Sequence, residues 1–533
     1  MLTLNEKGLK NRTEWLEKGY TLPSFDRPAM IARTAKEPVW VHFGAGNIFR
    51  AFQCADLQKM LDKGEIDTGI IAVEGFDYEI VEKGYRPSDN YSLLVTLKSD
   101  GTVEKTVVGS IAESCILDSE NEVEFGHLKA VFAAPSLQLA SFTITEKGYA
   151  VKDAHGNTAP AVATDLAAGP EKPQSYLGKV ASLLYARYQA GGLPVAMVSM
   201  DNCSHNGEKL FQAILTFAEG WKDPGFLSYV SDPAKVSFPW TMIDKITPRP
   251  DASVEAILRA DGLQGLDPVI TSKHTYIAPF VNAEESEYLV IEDAFPNGRP
   301  ALEKAGFLFT DRDTVNKVER MKVTTCLNPL HTALAVYGCM LGYKRISDEM
   351  KDADLVRLIS TIGYTEGLPV VTDPGIINPK DFIDTVVNIR LPNPFMPDTP
   401  QRIACDTSQK VPIRFGETIK SYLADSSRDV GSLNAVPLAI AGWLRYLLGV
   451  DDEGHPFEIS PDPLLSKLQA ALEGIVPGRP DTADGKLDVL LSDPVLFAVD
   501  LTETPLAEKI RTDFASMLAG PGAVRKTLKE VLA

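Results

Sequence analysis

A short run of aromatic and β-branched residues at positions 38–43 (PVWVHF) leads directly into Gly44-Ala45-Gly46 and then into a helix-like stretch over 47–61. Short buried strands have that composition, so the segment reads strand–turn–helix. No other feature constrains the fold as tightly. A strand that enters a helix through a glycine turn packs back as half of a βαβ unit, and repeated units build a parallel sheet. Further strands are read at 69–73 (GIIAV), 93–97, 106–111, 137–145 (LQLASFTIT) and 195–200 (VAMVSM), with a helix at 179–189. The expectation is an α/β doubly wound parallel sheet.

The chain has 533 residues, enough for two to four domains at roughly 150 residues each. After about residue 300 long periodic apolar segments dominate, at 330–341, 435–448 and 463–472. They read as helices. The expected division is a Rossmann-like domain over 1–305 and a mainly α-helical domain over 306–533, with a ligand cleft between them.

Composition excludes several partners. A net charge of −19 argues against nucleic acid and anionic membrane surfaces, both of which need clustered Lys and Arg. No apolar run reaches the ~20 residues that span a bilayer, and no signal peptide is visible in the first 20 residues. The cysteines at 54, 115, 203, 326, 339 and 405 lack CxxC spacing, which suits a reducing cytoplasm. Seven histidines form no HxxxH pair, so no metal site is expected. The expected partner is a small molecule, with monomer and homo-oligomer both open.

The glycine turn carries the cofactor reading. Glycines let a backbone approach a pyrophosphate closely, and the following helix N-terminus supplies N–H groups and partial positive charge. Gly44, Gly46, Asn47, Ile48, Phe49 and Arg50 are therefore candidate cofactor residues. Phe49 stands where GxGxxG has its third glycine, and Glu74 lies 28 residues past Gly46 rather than ~20. Glu74 or Asp77 would accept hydrogen bonds from ribose hydroxyls and repel a 2′-phosphate, which favours NAD over NADP. Either one is equally readable as a solvated loop acid.

Reduction of a ketone needs groups that stabilise a developing oxyanion and deliver a proton. Lys322, Asn328 and His331 fall within ten residues, KVTTCLNPLH. Asn328 and His331 are three apart and share a helix face. A plainer reading stands beside this one: Pro329 suits the first helical position, Asn328 then caps, His331 packs, and Gly342 ends the helix. The run 201–207 (DNCSHNG) follows the strand 195–200 at its carboxyl end, where open α/β sheets place their sites, and equally suits a helix-capping turn. Glu146 closes another strand the same way.

Together these motifs resemble the polyol-specific long-chain dehydrogenase/reductase family, which includes mannitol 2-dehydrogenase, fructuronate reductase (D-mannonate oxidoreductase) and tagaturonate reductase. The similarity covers most of the chain: 44–53 (GAGNIFRAFQ), 143–149 (TITEKGY), 201–207, 238–248 (FPWTMIDKITP), 287–303, 388–394 and 404–412. The resemblance implies an NAD-dependent, metal-independent dehydrogenase. Lys322 would be the general acid/base, its pKa depressed by an enclosed site. Asn202 and Asn328 would donate to the carbonyl oxygen, His331 would orient substrate or lysine, and Glu146 would relay protons. Asp244 and Arg390 would contact substrate hydroxyls or a carboxylate. The motif variants are most similar to bacterial D-mannonate oxidoreductases. Mannitol 2-dehydrogenase, another polyol or aldonate dehydrogenase (tagaturonate/altronate), and a non-catalytic NAD-binding sensor are the alternatives. Five residues separate Lys322 from Asn328, where the family usually has four. On an ideal helix that rotates the lysine by ~100°, unless Lys322 precedes the helix or a local bulge absorbs one residue.

Overall fold

Six strands form one sheet: β1 (Trp40–Phe43), β2 (Ile70–Glu74), β3 (Ile111–Ile116), β4 (Leu139–Phe142), β5 (Val195–Ser199) and β6 (Val236–Ser237). Their spatial order is β3-β2-β1-β4-β5-β6, and every pairing is parallel. This is the doubly wound order with its reversal between β1 and β4. The computed structural model describes residues 1–249 and 252–533. It divides into two compact units, Met1–Leu97 with Thr102–Asn316 and Lys98–Gly101 with Lys317–Ala533.

The central strands are buried on both faces, which explains their near-continuous apolar runs. Val41, Phe43, Ile71 and Val73 point into one core, which also takes in the buried faces of α3 (Glu122–Ala133), α4 (Tyr176–Gln189) and α5 (Asn206–Gly220). Trp40, Ile70 and Ala72 point into the other, with Phe49 from α1 (Asn47–Ala51) and Leu57 from α2 (Gln53–Asp62). The single helix expected over 47–61 is thus two, broken at Phe52.

Two expected strands do not join this sheet. Ser92–Leu97 pairs antiparallel with Val103–Val108, in a separate four-stranded sheet with Tyr20–Thr21 and Phe280–Glu284. The physical reason is the connection. A parallel crossover needs a dozen or more residues, whereas 98–102 is short and carries Asp100-Gly101, a hairpin signal. The strand expected over 106–111 is split, because Val108 ends one sheet's strand and Ile111 opens β3. Gly109 sits between them, where an added Cβ would meet Tyr91, Pro23 and Arg27.

Among the described residues the second unit has helices and turns and no paired strand. α6 (Arg312–Met321) leads into it, followed by α7 (Asn328–Met340), α8 (Ala435–Tyr446) and α9 (Leu506–Met517). α8 is buried along its whole length, which is why its sequence is apolar on every side. The Tyr337 hydroxyl of α7 donates to Leu438 O of α8 at 2.9 Å. Gly342, at φ +79°, follows the end of α7. No helix among the described residues is long and apolar enough to cross a membrane.

Candidate active site

The turn after β1 lies at the sheet's switch point. Gly44 has φ +105° and its absent Cβ would stand 2.2 Å from Thr143 O, just past β4. The two strand ends therefore touch only because residue 44 is glycine. Gly46 is the opposite case, at φ −85° with nothing within 4 Å of a Cβ position. No side chain caps α1, so its first-turn N–H groups remain for a ligand. Open space beside an uncapped helix start fits a dinucleotide pyrophosphate. The side chains of Phe49 and Arg50 hold the turn from inside. Phe49 stacks flat on His42 at 4.0 Å. The buried Arg50 guanidinium donates to Ala278 O at 2.9 Å and to Asn47 Oδ1 at 2.9 Å.

Neither Glu74, the last residue of β2, nor Asp77 beyond it is solvated. Glu74 accepts from Ala45 N–H at 3.0 Å through one oxygen and from Phe76 and Asp77 N–H at 2.7 and 3.1 Å through the other. It thereby ties the glycine turn to the end of β2. Asp77 is buried and accepts from the Thr271 hydroxyl at 2.6 Å.

A second constellation joins the ends of β4 and β5. Asp201 accepts from the backbone N–H of Ile144 and Thr145, both at 2.9 Å, and from the Tyr149 hydroxyl at 2.5 Å. Thr145 has φ 66° and ψ 159°, a region almost reserved for glycine that costs about 1–3 kcal/mol. The Asp201 clamp sustains it and fixes the turn that carries Glu146. Glu146 is exposed and pairs with Lys209 at 2.6 Å. Asn206 is buried and bonds Asp201 O, Thr241 N–H and the Thr241 hydroxyl, so the outer members of 201–207 are scaffold. Asn202 is exposed between them. Asp244 is buried at the end of Thr241–Asp244, opposite Tyr288.

In the second unit Lys322 opens a π-helical turn, Lys322–Cys326, between α6 and α7. Leu327 N–H reaches Lys322 O at 3.1 Å, an i→i+5 bond. The bulge takes up one residue, and Lys322 also precedes α7. Asn328 is not the cap of α7: Leu327 is, and no side chain caps it. The capping reading fails because Leu327 already leaves helical geometry at φ −129°. The Asn328 amide has no hydrogen-bond partner among the described residues.

His331, one turn on, sits in a cationic field. Burial pushes its pKa down to about 3, with Arg414, Arg402, Arg390 and Lys410 acting in the same direction. Its Nε2 lies 3.4 Å from Asp398, a contact that would favour the charged ring. The neutral form prevails because Asp398 is paired with Arg402, and Nε2 is left buried without a hydrogen bond. Arg390 and Arg414 both stand on further π turns, Val386–Arg390 and Pro412–Gly416. Such turns concentrate at functional sites.

Lys322, Asn328, His331 and Arg390 thus gather in the second unit, while the glycine turn, Glu74, Asp77, Glu146, Asn202 and Asp244 belong to the first. Sequence reading missed Asp201 as a clamp and Arg402 and Arg414 around His331, and it placed Lys410 only within the segment 404–412. Periodicity gave no signal for them. The spatial cluster Glu113, Cys115 and His127, with ligand atoms within 4.8 Å, was invisible to spacing as well. Burial and the neighbouring carboxylates Glu113 and Glu124 push its thiol pKa up.

Comparison with known proteins gives two family matches, the mannitol dehydrogenase Rossmann domain over residues 39–304 and the mannitol dehydrogenase C-terminal domain over 314–518. The D-mannonate oxidoreductase of Thermotoga maritima is 52% identical over 538 residues, covering 100% of this chain and 99% of the relative. A substrate-free D-sorbitol dehydrogenase structure superposes with a TM-score of 0.80 at 26% identity, over 100% of both chains. The Pseudomonas fluorescens mannitol 2-dehydrogenase complex with NAD and D-mannitol gives 0.68 at 27%, over 100% and 99%.

Proposed function

The chain belongs to the mannitol dehydrogenase family, and from this we propose that it is an NAD-dependent oxidoreductase interconverting D-mannonate and D-fructuronate. The observation that carries the substrate is the field around His331. Four cations act on His331, with Asp398 answering one of them, Arg402, in a chain of net charge −19. A sugar acid answers that charge, whereas a neutral polyol needs only hydrogen bonds. The full-length likeness to a D-mannonate oxidoreductase supports the same choice.

Bound at the uncapped turn of Gly44 and Gly46, NAD supplies the hydride acceptor for alcohol oxidation. Lys322 Nζ takes the hydroxyl proton in that direction and returns it to the oxygen on reduction. The Asn328 amide donates to the oxygen as negative charge develops. His331, held neutral, gives or accepts a hydrogen bond without adding a charge that would repel Lys322. Asn202 is assigned a second amide donor, Glu146 the proton relay and Asp244 a contact to substrate hydroxyls. No step requires a metal. Six unpaired cysteines suit a cytoplasmic setting.

NADH oxidation with D-fructuronate and D-fructose at equal concentration tests the reading. The expectation is a kcat/KM at least about 100-fold higher for fructuronate. Faster reduction of fructose makes the protein a polyol dehydrogenase. Lys322→Ala is expected to lower kcat about 10³-fold, and unchanged turnover removes the lysine from the mechanism.

A further inference from the structure

Arg414 is a desolvated cation with no acidic counter-charge. Its guanidinium bonds the Thr332 hydroxyl, and among the described residues no carboxylate lies within ion-pair distance. Burial alone brings its pKa down to about 10. Three other arginines show how such a charge is answered elsewhere. Arg402 pairs with Asp398, and Arg525 with Asp352 and Asp354. The buried Arg187 is satisfied by carbonyls of Leu193, Phe132, Ala134, Leu137 and Pro194. A guanidinium carries five donors in a fixed fork, and a single neutral hydroxyl leaves most of that fork open. A half-buried charge without a counter-ion is costly, so such a group persists where a ligand supplies the opposite sign.

Its position is specific. Thr332 follows His331 on the first turns of α7, and its hydroxyl donates to Asn328 O at 2.9 Å. Arg414 is therefore anchored to the same turn that presents Asn328 and His331. Lys410, on the preceding turn, is engaged by Ile403 O and Cys405 O.

We propose that Arg414 is the seat of the substrate carboxylate, receiving it side-on through its open donors and so setting the preference for a sugar acid over a neutral sugar. This rests on the sugar-acid reading above. It adds a specificity residue that sequence reasoning, which favoured Arg390, did not single out.

The measurement is the ratio of kcat/KM for D-fructuronate to that for D-fructose, in the wild type, Arg414→Gln and Arg414→Lys, with NADH affinity and melting temperature followed in parallel. Arg414→Gln is expected to lower the ratio about 100-fold, and the loss falls on KM for fructuronate more than on kcat. Arg414→Lys keeps the charge but not the fork, and recovers part of it, leaving a loss of about tenfold. Should the glutamine variant fail to fold, the lysine variant decides alone, and an unchanged ratio overturns the proposal. A wild type that does not prefer fructuronate overturns the sugar-acid reading itself. A wild type that prefers it, with both variants keeping the wild-type ratio, overturns only the role of Arg414.

Discussion

Two glycines, two positions apart, do opposite work in the turn after β1. At Gly44 both conformation and space forbid a side chain, since φ is +105° and a Cβ would collide with Thr143 O. Gly44→Ala is therefore expected to pry the ends of β1 and β4 apart, lowering the melting temperature by several degrees, about 2–4 °C per kcal/mol, and abolishing NADH binding. Gly46 has ordinary backbone angles and open space. Gly46→Ala is expected to melt within about 1 °C of the wild type while binding NADH at least about tenfold more weakly, because the new methyl occupies the approach to the helix start. Fluorescence titration with NADH, alongside thermal melts of both variants, checks the pair. Equal affinity for Gly46→Ala would mean the pyrophosphate lies elsewhere. The turn itself was legible in the sequence, since glycine spacing after a strand is a local signal. The bracing by Glu74 was not, because it depends on where β2 ends relative to β1.

At the level of elements, the second unit relies on π turns, and this is where sequence and structure part most clearly. Helices α7 and α8 were readable from period and composition. The Lys322–Asn328 spacing was readable as an anomaly, and the choice between its outcomes required the i→i+5 bond at Leu327. Periodicity assumes 3.6 residues per turn, so a wide turn shows up only as a broken pattern. The hairpin 92–108 failed for a different reason: strand composition says nothing about which sheet a strand joins. A further π turn, Thr361–Gly367, delivers Glu366 to the start of α8. Its carboxylate accepts from the N–H groups of Asn434, Ala435 and Val436 at 2.6, 2.8 and 2.8 Å. The buried helix is thus capped by a residue nearly 70 positions away, since Asn434 makes no side-chain cap. Glu366→Ala would leave two buried donors and one part-buried donor without a partner, at a cost of about 2–4 kcal/mol. The expected drop in melting temperature is about 5–10 °C. A drop below about 2 °C would show that water replaces the cap.

Over the whole molecule, buried titratable groups set the pH at which the chain is most stable. His42 in the first unit and His331 in the second are both held neutral, each at about 3, by burial first. An unfolded histidine titrates near 6.5. As pH falls from there toward 3 the unfolded chain binds protons that the folded chain refuses, so stability is lost on the acid side. Three buried carboxyls act in the other direction, all raised chiefly by burial: Asp513 to about 6, Asp56 to about 7 and Glu349 to about 9. Unfolded, they ionise near pH 4. Their contribution is complete below that and declines as pH rises through the folded values. The two sets oppose each other between about 4 and 6.5, and above 6.5 the carboxyls act alone. Three carboxyls outweigh two histidines above about pH 4.5, so the melting temperature is expected to peak near pH 4–5 and to fall toward pH 9. Glu349 dominates the alkaline limb, because both its oxygens are buried without hydrogen bonds. Glu349→Gln removes the titration with little change of shape. Its melting temperature should match the wild type's at pH 4.5 and exceed it by roughly 5 °C or more at pH 8.5. Melts at constant ionic strength across that range decide the matter. An advantage equal at both ends would make Glu349 a packing defect rather than a titrating one, and a wild-type melting temperature that rises from pH 6.5 to 8.5 would mean that the alkaline balance is set by groups other than these three.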